Sequence, residues 1–237
     1  MNLLTKVDFN YGLFGTLRAA AGEEWTEYVN HRFVKELAVG ILPQPCFQRF
    51  LTQDYLFLIH YARAYALLAS KGHTLNEIRA AAATLQAIVD ELPVHVKYCS
   101  AWGLSEEMME AEPEASETLT YTRYVLDIGH SGDSLDLMAA LMPCVAGYGE
   151  IGEILLADKN TVIDGNPYGA WIRNYESARY MASVQAAIVR FDAIGRSRGG
   201  EARLKQLSTI FITATRLESA FWQMGMDAGT DVAKAKE

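Results

Sequence analysis

Apolar residues recur along most of this chain at helical intervals. Between Pro45 and Ser70 the positions Phe47, Phe50, Leu51, Tyr55, Leu58, Ala62 and Tyr65 form one continuous stripe, the signature of an amphipathic helix. Pro45 suits its first turn, where a missing N–H matters least, and Gly72 suits its end. Thr74-Leu-Asn-Glu77 reads as a capping box. It opens an alanine-rich helix that Pro93 perturbs and Gly103 ends. Ser105 is placed to cap a short acidic helix through Glu112, and a further helix is expected from about Ser116 to Ile128, stopped by Gly129. Ser134 starts a helix to about Ala157, interrupted at Pro143. A Gly165-Asn-Pro167 loop leads to a short helix around Trp171 and Tyr175. Two amphipathic helices then cover Ala178–Ile194 and Glu201–Met226, divided by Gly195 and the Gly199-Gly200 pair. Strand signal is thin: Pro93-Val-His-Val-Lys-Tyr98 alternates, but it is short and lies between helical patterns. The pattern predicts one all-α domain over residues 1–237, a helical bundle of eight to ten helices. Its core would run from about 10 to 228, with short flexible tails.

Composition narrows the function classes. With 21 basic against 29 acidic residues the formal charge is −8. Such a chain lacks the cation surplus that displaces phosphate counterions, so nucleic acid is not an expected partner. The longest uncharged apolar stretch, Leu137–Gly149, is 13 residues long and contains Pro143. It is too short to span a bilayer, so no membrane is expected. Three cysteines without CxxC spacing indicate neither a disulfide framework nor a zinc knuckle. With no leader pattern at the start, a cytoplasmic location is expected.

Several residues invite chemistry. The five histidines form no E-x-x-H pair and no HExxH motif, so they read as surface or hydrogen-bonded groups and no metal site is expected. Cys144 follows a proline inside a helical pattern, with Tyr148 one turn on. A kink there would begin a new half-helix whose exposed amides favour a thiolate, whereas an inert buried cysteine is the other reading. Asp54 shares a face with Phe50 and Phe57, and Glu218 with Phe221 and Trp222. A carboxylate among aromatics needs either a salt-bridge partner or a ligand. Tyr121, Tyr148 and Tyr175 lie on three different expected helices. They read either as core or as stacking surfaces for a flat, nitrogen-rich ligand.

At these residues the chain resembles the TenA family, the thiaminase II or aminopyrimidine aminohydrolase proteins of thiamin salvage. The matching strings are Trp25-x-x-Tyr28-x-x-His31-Arg-Phe33-Val34 and Leu42-Pro-x-x-x-Phe47-x-x-x-Leu51-x-x-Asp54. They continue with Leu141-Met-Pro-Cys144-x-x-x-Tyr148, Trp171-Ile-x-x-Tyr175 and Glu218-x-x-Phe221-Trp222, and together cover roughly Trp25 to Met226. The resemblance implies a haem-oxygenase-like fold without haem, assembled as a homotetramer. It implies hydrolysis of a 4-amino-5-aminomethylpyrimidine, or of thiamin, to the hydroxymethylpyrimidine, with no metal or organic cofactor. By the same resemblance Cys144 is the nucleophile and Glu218 handles protons at a ring nitrogen. Asp54 holds the substrate amino group, Tyr121, Tyr148 and Tyr175 line the pocket, and Phe221 forms an aromatic wall. Phe57 stands where better-known members carry tyrosine, which bears on substrate preference more than on reaction type. Two further readings stay open: an oxidase of other specificity on the same fold, and a regulatory or interaction protein of the family without direct DNA binding.

Overall fold

The computed structural model describes residues 6–100, 102–199 and 201–234. Among these residues regular structure is α-helical, in ten helices and no strand: α1 Gly12–Val29, α2 Arg32–Ala38, α3 Gln44–Ser70, α4 Leu75–Ser100, α5 Glu106–Ala111, α6 Ser116–Ser131, α7 Ser134–Ala157, α8 Gly169–Tyr175, α9 Ala178–Ser197 and α10 Leu204–Lys234. The outer parts of the expected tails, 1–5 and 235–237, and Gly200 lie outside the described residues. The helices fall into two compact units. One comprises residues 1–42 and 138–219, the other 43–137 and 220–237.

In the first unit α1 presents Phe14, Leu17, Ala21, Trp25 and Tyr28 at three- and four-residue steps, all of them buried. The Phe14 ring meets Phe211 of α10 edge-on at 5.9 Å, and Trp25 stacks on the same ring at 5.5 Å. The Trp25 indole N–H donates to Glu150 Oε2 at 3.0 Å, and Arg18 donates from Nε to that oxygen at 2.7 Å. A second guanidinium nitrogen pairs with Glu150 Oε1. A carboxylate on the apolar α7 is thereby neutralised and hydrogen-bonded, the condition for burying it. His31 caps α2, its Nδ1 accepting from the Phe33 amide at 3.2 Å.

Helix α7 is largely buried. Its apolar 18-residue window is long enough by composition to cross a membrane, and 72% of that window is buried. Three glycines let other elements approach its backbone. A Cβ at Gly147 would overlap Cε1 of Tyr28, one at Gly149 would lie 3.0 Å from Val184, and one at Gly152 would lie 2.6 Å from the Tyr175 carbonyl oxygen. Elements α1, α9 and α8 thus each rest against bare Cα atoms. The helix also runs unbroken through Pro143, where the sequence pattern predicts an interruption. Proline removes one ladder hydrogen bond without ending the helix.

In the second unit α3 packs along α4, α5 and α6. Buried Gln53 ties α3 to the start of α6: its carbonyl oxygen accepts from the Ala115 amide at 2.8 Å and the Thr118 hydroxyl at 2.6 Å, while its amide donates to the Pro113 carbonyl at 3.0 Å. The capping box at α4 forms, with Thr74 Oγ1 accepting from the Glu77 amide at 3.2 Å and Glu77 accepting from the His73 amide at 3.0 Å. Ser105 caps α5 as its position suggests. Other boundaries differ from the expected ones. Helix α6 continues past Gly129 to Ser131; that glycine serves close packing, since a Cβ on it would lie 2.7 Å from Leu67 Cδ2. Residues 93–98 are the end of α4 and not a strand. Asp133, one residue before Ser134, caps α7 by accepting from the amides of Leu135 and Asp136.

The Gly147 contact gives a direct test. Alanine is the better helix former by about 1 kcal/mol, yet the added methyl must displace a buried tyrosine ring, an overpacking that costs about 1–3 kcal/mol. Gly147→Ala is therefore expected to lower Tm by thermal unfolding; a rise in Tm would mean that the Tyr28 ring yields without cost.

Candidate active site

Two groups of the residues singled out in the sequence are assembled by the fold, one in each unit. In the first unit Cys144 lies on α7 one turn before Tyr148, which places both on the same helical face. Cys144 is half-buried, whereas Cys46 and Cys99 are buried. Burial, helped by the charge of Asp54, pushes the Cys99 thiol up to about 11, so that cysteine stays protonated near neutrality. The Tyr148 ring lies 5.0 Å from Tyr175 and 6.0 Å from Trp171, and Trp171 and Tyr175 are 4.6 Å apart. Tyr180 of α9 closes on Tyr175 edge-on at 4.9 Å. Gly152 makes this arrangement possible by letting the Tyr175 main chain reach α7. Glu218 of α10 is 2% exposed.

The second group belongs to α3, α4, α6 and the end of α10. Phe57 packs at 5.0 Å against Tyr121, at 5.7 Å against Phe221 and, nearly parallel, at 5.3 Å against Tyr61. Phe50 meets Phe221 edge-on at 5.9 Å and Trp222 at 4.9 Å. Phe50 and Phe57 are the neighbours of Asp54 along one helical face, so this carboxylate emerges among aromatic rings. It is 6% exposed and accepts a 2.9 Å hydrogen bond from Nε2 of His95, itself 7% exposed. Burial is the largest single influence on His95 and lowers its pKa. The hydrogen bond and charge of Asp54, with smaller help from Glu91, outweigh that, so the net shift is upward. The imidazolium form is thus favoured against a carboxylate partner.

Sequence reasoning placed Asp54 but missed His95. Glu91 and His95 were visible as an i,i+4 pair, yet the partner that matters sits on another helix, which no local spacing reveals. Tyr61 was missed as well; its signal was the four-residue step from Phe57. His60 pairs with Glu114 at 3.0 Å. Among the described residues no group of three or more His, Cys, Asp and Glu side chains is arranged to hold a metal ion.

A sequence model of the TENA/THI-4/PQQC family matches residues 18–228. The chain belongs to this family. It is 37% identical over 201 residues to the aminopyrimidine aminohydrolase of Halalkalibacterium halodurans, covering 84% of this chain and 89% of that protein. Among solved structures, a TenA family transcription regulator from Silicibacter sp. TM1040 superposes with a TM-score of 0.86 at 44% identity, covering 92% of this chain and 98% of the other. A protein with a heme oxygenase-like fold from Shewanella denitrificans OS217 superposes with a TM-score of 0.71 at 14% identity, covering 94% of each chain. The all-α, haem-oxygenase-like class that the resemblance implied is therefore the fold of this family member.

The His95–Asp54 pair predicts a pH signature. A histidine whose folded pKa lies above its unfolded value of about 6.5 stabilises fully below that value and loses the contribution as pH rises through the folded pKa. His95→Ala leaves a buried carboxylate without this partner, at a cost of about 3–5 kcal/mol. The Tm deficit of the variant against the wild type is expected to be larger at pH 6 than at pH 9. An equal deficit at both pH values would mean that the pair is not charged.

Proposed function

We propose that this protein is a cofactor-independent hydrolase of thiamin salvage. It converts 4-amino-5-aminomethyl-2-methylpyrimidine and water to the 5-hydroxymethyl compound and ammonia. Thiamin, which carries the same pyrimidine, is a second candidate substrate. The observation that carries this reading is the half-exposed Cys144 one turn from a packed cluster of Tyr148, Trp171 and Tyr175, in a chain 37% identical to a protein named aminopyrimidine aminohydrolase.

The chemistry follows from the substrate. The exocyclic carbon bears a poor leaving group, and the ring becomes electrophilic only when a ring nitrogen is protonated. Glu218 delivers that proton, and the Cys144 thiolate adds to a ring carbon. Electrons returned from the adduct expel ammonia from the aminomethyl carbon, the leaving nitrogen taking the ring N–H proton by way of Glu218, and an exocyclic methylene remains. Water attacks that methylene as Glu218 takes its proton, the ring electrons move back, and the carbon–sulfur bond breaks to release the thiolate and the hydroxymethyl product, with Glu218 again protonated. Asp54, held by His95, accepts hydrogen bonds from the 4-amino group. Tyr121, Tyr148, Tyr175, Phe57 and Phe221 supply flat surfaces for a flat ring. This set of roles makes no use of a metal or an organic cofactor.

The working protein is a cytoplasmic homotetramer formed as one domain with a core from about 10 to 228. Three cysteines without a disulfide pattern favour the reduced compartment. The charge of −8 disfavours nucleic acid as a partner, which weighs against a regulatory reading by DNA binding. It handles small pyrimidines and not membranes.

Incubation with the aminomethylpyrimidine while ammonia is measured is the decisive assay. Cys144→Ser should nearly abolish release with Tm unchanged; a serine variant at the wild-type rate removes Cys144 from the nucleophile's role. Glu218→Gln keeps size and hydrogen bonding but not proton exchange, so kcat should fall about 10²–10⁴-fold with KM little altered. A loss confined to KM would make Glu218 a binding residue instead.

A further inference from the structure

We propose that Tyr28 and Tyr180 are positioning residues that fix Cys144 by holding the main-chain carbonyls on either side of it. The proposal rests on the aminohydrolase reading only for its effect on turnover. The Tyr28 hydroxyl of α1 donates to the carbonyl oxygen of Pro143 at 3.4 Å, and the Tyr180 hydroxyl of α9 donates to that of Val145 at 3.3 Å. Both carbonyls belong to α7, and Cys144 lies between them. Each peptide oxygen has two lone pairs. In a continuous helix one accepts from the amide four residues on, Gly147 or Gly149, and the other is left for the tyrosine.

The position is one where an external hold has work to do. Pro143 cannot donate to the Ala139 carbonyl, so the ladder is weakest immediately before the thiol-bearing residue. The holds come from two different helices. Tyr28 is buried with its ring against the bare Cα of Gly147, so its hydroxyl cannot follow if α7 slides. Tyr180 packs edge-on against Tyr175, whose ring in turn lies beside Tyr148. The peptide before Cys144 and the one after Val145 are therefore referenced to α1 and α9, and the Cα–Cβ direction of Cys144 is set relative to the aromatic cluster. Misplacement of a nucleophile by a fraction of an ångström is felt in the chemical step more than in binding.

Tyr28→Phe, Tyr180→Phe and the double variant keep the rings and remove only the hydroxyls. Each single change is expected to lower kcat on the aminomethylpyrimidine roughly 3- to 10-fold, the worth of one neutral hydrogen bond, with KM within about twofold of wild type. Amide hydrogen exchange, read by mass spectrometry in a peptide covering Cys144–Gly149, is expected to speed up in each variant while Tm falls by no more than about 2–4 °C. Wild-type kcat in both variants, with or without faster exchange, overturns the positioning role; unchanged exchange overturns the hold itself. If the wild-type protein releases no ammonia, the aminohydrolase reading fails on its own. The exchange measurement then still decides whether the two hydroxyls hold this segment: faster exchange supports it and unchanged exchange overturns it.

Discussion

Close approach to the backbone of α7 is the constraint on which the first unit depends. A helix of ordinary residues keeps its neighbours about 8–10 Å away by the bulk of its side chains. At Gly147, Gly149 and Gly152 that bulk is absent, and α1, α9 and the end of α8 meet the helix at those points. The spacing matters as much as the residue type. Gly147 and Gly149 are two apart and so face different directions, which lets two helices dock from different sides. Gly152 brings the Tyr175 main chain in on a third. Between and beside these points stand Cys144, Tyr148 and Glu150, whose directions are consequently fixed. An apolar helix with a proline in its middle is thereby held by three other elements.

Electrostatics shows the same economy in both units. Glu150 in the first unit and Asp54 in the second are both buried carboxylates, but their partners differ. Glu150 meets a permanently charged guanidinium that pairs with both carboxylate oxygens, together with an indole donor. Burial of Glu150 is thus matched by a partner that stays charged. Asp54 meets a histidine, whose charge is conditional. A structural anchor gains from the first kind of partner. A histidine can donate through Nε2 to Asp54 whether its ring is neutral or charged, so this hydrogen bond survives a change in the charge of the partner.

The helices were legible wherever apolar periodicity was long and its ends carried side-chain caps: α3, α4 and α5 follow the pattern, with Thr74–Glu77 and Ser105 as the signals. Glycine and proline were the ambiguous letters. Gly129 and Gly195 look like helix stops in sequence, yet both lie inside helices, where Leu67 and Leu13 respectively press against them. A glycine that ends a helix and one that admits a neighbour are the same residue until the neighbour is known. Pro93 and Pro143 likewise remove one hydrogen bond each without ending α4 or α7. The candidate site was read in part. The aromatic and acidic positions follow from which residues share a helical face, whereas His95 required knowing that α4 lies against α3.

Phe57 separates what the ring does from what a hydroxyl would do. Its ring is held by Tyr61, Tyr121 and Phe221 at 5.0–5.7 Å, contacts that a tyrosine would make equally well. The aromatic cluster therefore does not depend on a hydroxyl at position 57. What changes is polarity. Phe57 is buried, and a hydroxyl in that place would cost about 1–3 kcal/mol unless something accepted its hydrogen bond. A substrate group could be that acceptor. On the proposed reading, in which Cys144 and Glu218 carry the chemistry, the residue at 57 bears on which pyrimidine is favoured. Its ring contacts are with Tyr61, Tyr121 and Phe221, so a substitution there acts away from the close packing at Gly147, Gly149 and Gly152.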